Sequence, residues 1–127
     1  MVLVEGLEHR YGNDVVLRVP EWRLQPGEHW LVAGPSGCGK STLLHVLAGL
    51  QRPSAGRVLV FGNDVATLPG AEIDHWRAAT VGIVLQTLHL VAHLTVRANL
   101  RLAQYFARAP QDDSAIDNAL SELGVRD

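Results

Sequence analysis

The stretch Gly34-Pro35-Ser36-Gly37-Cys38-Gly39-Lys40-Ser41-Thr42 constrains this chain more than any other part of it. It fits the pattern G-x-x-x-x-G-K-[ST], which chance would give in about one chain of this length in a few hundred, taking glycine at roughly 7% of residues. The apolar run His29-Trp30-Leu31-Val32-Ala33 precedes it. An amphipathic run follows, with Leu43, Leu44, Val46, Leu47 and Leu50 at helical spacing. Strand, glycine loop, helix is the context in which such a loop cradles phosphate. Gly34, Gly37 and Gly39 let the backbone turn tightly and come close to a ligand. The loop N–H groups form an anion nest, and the helix that opens there adds the positive end of its dipole.

Lys40 is the only lysine among 11 basic residues; the other ten are arginine. A compact ammonium on a thin stem fits inside a backbone nest as a point charge. A planar guanidinium is wider and wants a flat, forked partner. Lys40 is therefore the residue expected to reach the β- and γ-phosphates of a nucleotide and stabilise charge there. The Ser41 hydroxyl is expected to serve Mg²⁺, which keeps several waters and takes few protein ligands.

Turn signals and apolar periodicity place the remaining elements. Met1–Glu5 and Val15–Val19 flank Tyr11-Gly12-Asn13-Asp14 and read as a hairpin. Gln25-Pro26-Gly27-Glu28 is a further turn, and 29–33 a buried strand. Gly39–Leu50 reads as a helix, ended before Pro53. Arg57–Phe61 is a strand, Ile73–Ala79 a short helix and Val81–Leu85 a strand ending at Gln86. Thr95–Ala107 is a helix with Thr95 as N-cap. Asp113–Leu123 is a last helix, capped by Asp112 or Asp113 and stopped at Gly124. Strands alternating with helices argue for an α/β fold with a parallel sheet behind an N-terminal antiparallel part.

At 127 residues the chain is at most one domain, and 47% of it is hydrophobic. A net charge of -2 gives no basic excess with which to meet nucleic acid. Cys38 is the only cysteine, so no internal disulfide forms and a reducing compartment fits. Met1-Val2-Leu3-Val4 runs at once into Glu5, unlike a secretory signal. The apolar run 78–94 is interrupted by Gln86, His89 and His93, short of the about 18 uninterrupted residues of a membrane span.

Two longer segments carry a family resemblance. "GPSGCGKSTLLHVLAGLQRPSAGRVLVFGND" resembles the Walker A segment of ABC transporter nucleotide-binding domains, continued into the following strand and turn. "VGIVLQTLHLVAHLTVRANL" resembles that family's Q-loop segment, which in a typical member reads close to "iGfvfQ..nLlp.lTv.eNv". The wording is nearest the group that exports macrolides and lipoproteins. The resemblance implies an ABC-type P-loop ATPase fold: an N-terminal antiparallel β subdomain and an incomplete parallel sheet flanked by helices. It implies an ATP-binding portion of a subunit that energises transport through a partner transmembrane permease. ATP and Mg²⁺ are the implied cofactors. Two nucleotide-binding domains would pair as a homodimer, and the place would be cytoplasmic, on the inner face of the cell membrane.

Residue by residue, the resemblance places nucleotide contacts at Tyr11, Gly34, Pro35, Ser36, Gly37, Cys38, Gly39, Lys40, Ser41, Thr42 and Gln86. Lys40 takes the catalytic role, and Ser41 and Gln86 face the metal. Tyr11 matches the aromatic that stacks on adenine. A hairpin-turn tyrosine remains the competing reading of that residue. Gln86 matches the Q-loop glutamine; a polar strand end is its competing reading.

The residues expected for water activation are missing. No Leu-Ser-Gly-Gly-Gln signature is present, no apolar run ends in Asp-Glu, and the late switch histidine has no counterpart. The resemblance thus covers the N-terminal half of a family member, 1–127 being a partial domain. A non-hydrolysing ATP-binding fragment or regulatory module stands as the alternative function. The apolar parallel strands would then have uncovered edges, and the chain alone is expected to be poorly soluble. His89 and His93, four apart, are read as partner-facing or solvated rather than as a metal pair. Asp112, Asp113 and Asp117 are read as first-turn and solvent-face charges.

Overall fold

A computed structural model describes residues 1–87 and 90–125, in two compact units, 1–77 and 78–127. The first unit opens with β1 (Val2–Tyr11) and β2 (Asp14–Leu24), an antiparallel hairpin longer than the turn signals alone suggest. Its turn is the expected one, with Gly12 at φ 61°. β3 (Ala55–Val60) pairs antiparallel with the other edge of β1, and β4 (Asn63–Asp64) folds back on β3. The sheet order is β2-β1-β3-β4.

The buried positions of β1 change parity along the strand. Val2 and Val4 face the core, then Leu7 and His9. The pairing with β3 slips between Glu5 and Glu8, around Gly6 at φ 58°. One extra residue moves every later side chain to the other face, so apolar residues spaced unevenly in sequence still reach one core. Gly56, across from this bulge, has φ 87°, and a Cβ there would lie 2.3 Å from the Gly6 carbonyl oxygen. No other residue fits.

Helix α1 (Lys40–Leu47) buries Leu43 and Val46; α2 (Gly70–Thr80) buries Ile73 and Trp76. With Val2, Val4, Leu7, Val58, Val60 and Val65 these side chains form the core of the first unit. α1 and α2 meet at Gly49, where an added Cβ would be 2.8 Å from Ile73 and 3.2 Å from Trp76.

In the second unit α3 (Val96–Phe106) begins where the sequence places it: the Thr95 hydroxyl accepts from the Ala98 N–H at 3.1 Å. α4 (Asp113–Glu122) is capped by Asp112, whose carboxylate accepts from Ala115 N–H at 3.0 Å, and Gly124 ends it at φ 66°. Ile116 and Leu120, one helical turn apart, supply its buried face.

Two expected strands are not formed. Residues 29–33 and 81–85 belong to no ladder among the described residues, and the described pairings are all antiparallel. Leu31 is 90% exposed and Val84 93%. Both runs have strand composition, but a strand exists only when its N–H and C=O groups find a neighbour, and neither run has one here. The α/β class holds; the parallel part of the sheet is carried only as unpaired apolar segments. No described helix is long and apolar enough to cross a membrane.

Candidate functional site

The glycine loop is shaped by its sequence as expected. Ser36 and Gly37 form a turn, Gly37 has φ 82° and Gly39 φ 91°, and α1 begins at Lys40. Gly39 occupies the N-cap position, so no side chain caps the helix, and its first turn holds no acidic residue. Most helix starts are capped by Ser, Thr, Asp or Asn. Here the first N–H groups are left to an outside acceptor, in the place where the helix dipole favours an anion.

Gly39 also fixes the loop to the hairpin. A Cβ at this position would lie 2.7 Å from the Val16 carbonyl oxygen and 3.4 Å from Leu17, both on β2. Leu17 pairs with His9 and Asp14 with Tyr11, so the loop rests against the hairpin close to its turn. At Gly34 a Cβ would meet only the Cys38 sulfur, at 2.8 Å, which a rotamer change relieves.

Lys40 folds back over the loop that precedes it. Its Nζ donates to the Gly34 carbonyl at 2.8 Å and the Pro35 carbonyl at 2.6 Å, and lies 3.5 Å from Cys38 Sγ. The ammonium is thus already held above the nest by neutral acceptors. A phosphate oxygen offers a charged acceptor in exchange, which makes the stronger bond. Ser41 is exposed on the first turn and Thr42 is half-buried beneath it. Uncapped amides, a poised ammonium and an exposed hydroxyl form a donor set that fits a polyphosphate. The Ser41 hydroxyl is an oxygen of the kind that could hold Mg²⁺.

Tyr11 is 51% exposed at the end of β1. Its hydroxyl and the Gln51 amide bond reciprocally, at 2.8 and 3.2 Å. The His9 ring meets it edge-on, with centroids 5.0 Å apart and planes at 84°. His9 is buried, its Nδ1 donating to the Arg52 carbonyl at 3.0 Å. Sequence reasoning passed over both partners of Tyr11. Gln51 lies 40 residues away in the chain, and no local pattern announces such a contact.

Gln86 lies in the second unit, exposed on a bend at 86–87. Of the two histidines, His93 is on an exposed turn and His89 lies outside the described residues. The carboxylates read as structural charges have structural partners. Asp112 caps α4. Asp113 takes Arg101 through two bonds of 2.7 and 2.6 Å, and Arg101 holds its carboxyl below the usual range. Asp117 pairs with Arg97 at 2.5 Å.

Loop, helix and sheet together define a P-loop nucleotide-binding protein of the α/β class. Residues 17–127 match the ABC transporter family. The chain belongs to that family. It is 37% identical over 110 residues to the phosphonates import ATP-binding protein PhnC 2 of Rhodopseudomonas palustris (strain BisB18), across 87% of this chain and 40% of that protein. It is 34% identical over 133 residues to the macrolide export ATP-binding/permease protein MacB 2 of Aeromonas hydrophila, across all of this chain and 21% of that one. Among solved structures it resembles dimeric MJ0796, a bacterial ABC transporter cassette, with a TM-score of 0.78 and 28% identity over 84% of this chain and 48% of the cassette. The chain therefore spans about half or less of each of these proteins. One named relative imports and another exports, so kinship of this degree does not fix a direction of transport.

Proposed function

We propose that this chain is the ATP-binding portion of an ABC transporter ATPase subunit that energises a partner permease. The observation that carries the proposal is the uncapped start of α1 beneath Lys40, whose ammonium is held within 2.8 Å of the loop carbonyls, over the nest. In this reading the loop amides of 34–42 hold the β- and γ-phosphates and Lys40 neutralises charge as it develops on them. Tyr11 offers a flat face to the base. Ser41 would be a ligand for Mg²⁺, which would offset charge on the phosphates; the same role is proposed for Gln86 from its match to the Q-loop glutamine alone. Pairing of two such subunits, as in the dimeric cassette it resembles, belongs to the same proposal, as does a place on the cytoplasmic face of the membrane beside the permease.

The subunit reconstituted with its permease in vesicles should drive ATP-dependent transport, and Lys40→Ala should abolish it. Transport that survives Lys40→Ala would refute the assignment. These 127 residues contain no apolar run that ends in Asp-Glu, so this stretch by itself is expected to hold ATP without turnover. Purified on its own, the chain is expected to release phosphate no faster than background. Release at the rate of an intact ATPase, lost in Lys40→Ala, would defeat that expectation.

A further inference from the structure

A nucleoside triphosphate separates its base from its terminal phosphate by a ribose and two further phosphates. A site that reads both ends must hold two platforms at a fixed span. In this chain α1 links them. Its first turn carries the phosphate loop, and the segment just past its end, Gln51-Arg52, anchors Tyr11. Gln51 bonds the phenol, and the Arg52 carbonyl holds the buried His9 ring that meets the phenol edge-on. At an interplanar angle of 84° the imidazole covers at most one face of Tyr11 and leaves the other for a ligand.

An exposed tyrosine near a hairpin turn would otherwise have to give up rotamer freedom each time a base docked. Restraints already in place remove that cost in advance. We propose that Gln51, with the His9 ring packed beside the phenol, is a positioning residue. It fixes the plane of Tyr11 and so sets the preference of this site for a nucleoside triphosphate over a triphosphate without a base. The proposal rests on the reading of Tyr11 as the base platform.

The test compares affinities for ATP and for inorganic triphosphate, each with Mg²⁺, in the intact protein. Gln51→Ala should weaken ATP binding by about two- to tenfold, the range expected for freeing one side chain. Inorganic triphosphate should bind it unchanged. Tyr11→Phe, which keeps the ring and loses the hydroxyl, should show the same split. The double variant should be no worse than either single one, because both remove the same reciprocal pair of bonds. Gln51→Glu, whose carboxylate still accepts from the phenol, should recover most of the loss.

Tyr11→Ala serves as the reference and should lose most of the preference for ATP. Should it keep that preference, Tyr11 is not the base platform and the positioning role falls with it. Should Tyr11→Ala lose the preference while Gln51→Ala keeps it, the base platform stands and the role given to Gln51 is overturned. Losses in Gln51→Ala and Tyr11→Phe that simply add would overturn it equally.

Discussion

Three glycines of the phosphate loop should respond very differently to a single methyl group. At Gly34 the backbone is ordinary and the added Cβ meets only the Cys38 side chain at 2.8 Å, which can swing away. Gly34→Ala should cost little in stability. Gly37 has φ 82° with open space around its Cβ direction, so Gly37→Ala carries only the left-handed backbone cost, about 1 kcal/mol. Gly39→Ala carries that cost at φ 91° and also forces a Cβ to within 2.7 Å of the Val16 carbonyl oxygen, a backbone atom that no rotamer change can move aside. Shifting packed backbone adds ~1–3 kcal/mol, for a total of roughly 2–4 kcal/mol. If the loop escapes the strain by leaving its phosphate-ready shape, the cost appears in ATP affinity as about 30- to 700-fold. If it stays, the cost appears in a urea melt. Measuring both for all three variants gives a graded series with Gly39→Ala far out of line. Gly39→Ala no worse than Gly37→Ala on either measurement would mean that β2 does not buttress the loop.

Other expectations follow from the same contacts. Bulky alkylation of Cys38, whose sulfur lies 3.5 Å from Lys40 Nζ, should block ATP binding; labelled protein that titrates with ATP like unlabelled protein would show otherwise. Glu8, held low by hydrogen bonds from Arg18 and Arg10, and Asp113, held low by Arg101, have folded-state pKa values below their unfolded ones. Their contribution to stability is therefore full above the ordinary carboxylate range, near about 4, and is lost as pH falls through the lowered values. Thermal melts should show Asp113→Asn less stable than wild type near neutrality and indistinguishable from it in strong acid. Asn99 accepts from Val91 N–H at 2.9 Å and donates to the carbonyls of Val91, Leu94 and Thr95 at 3.1 to 3.3 Å. Asn99→Ala should cost about 1–2 kcal/mol and speed hydrogen exchange at the Val91 amide, and unchanged exchange there would count against the role given to the side chain.

Local physics made much of this molecule legible. The phosphate loop could be read because each of its residues answers to its near neighbours: a glycine for a positive φ, an uncapped helix start for an anion. Thr95 and Asp112 could be read as caps for the same reason, since a side chain bonding an N–H three residues on leaves its mark in a few letters. The hairpin turn at Gly12-Asn13 was equally local. What could not be read depends on distant partners. His29–Ala33 and Val81–Leu85 have strand composition, but whether they become strands is decided by a neighbouring backbone, and none among the described residues pairs with them. The bulge at Gly6 emerges only once β3 is in place. The Gln51–Tyr11 bond joins residues 40 apart, and neither gives a sign of the other in the sequence. The exposed Leu31 and Val84 show what those unpaired runs leave open, and with them the chain alone should aggregate readily.

If the loop from Gly34 to Thr42 holds ATP, Lys40 is the side chain on which that hold depends most. A calorimetric titration of the purified chain with ATP and Mg²⁺, run beside Lys40→Ala, tests it directly. The wild-type chain should show one saturable site and the variant a loss of affinity of about a hundredfold or more, as expected when charge-assisted bonds to phosphate are removed. Equal affinity in the two proteins would contradict it.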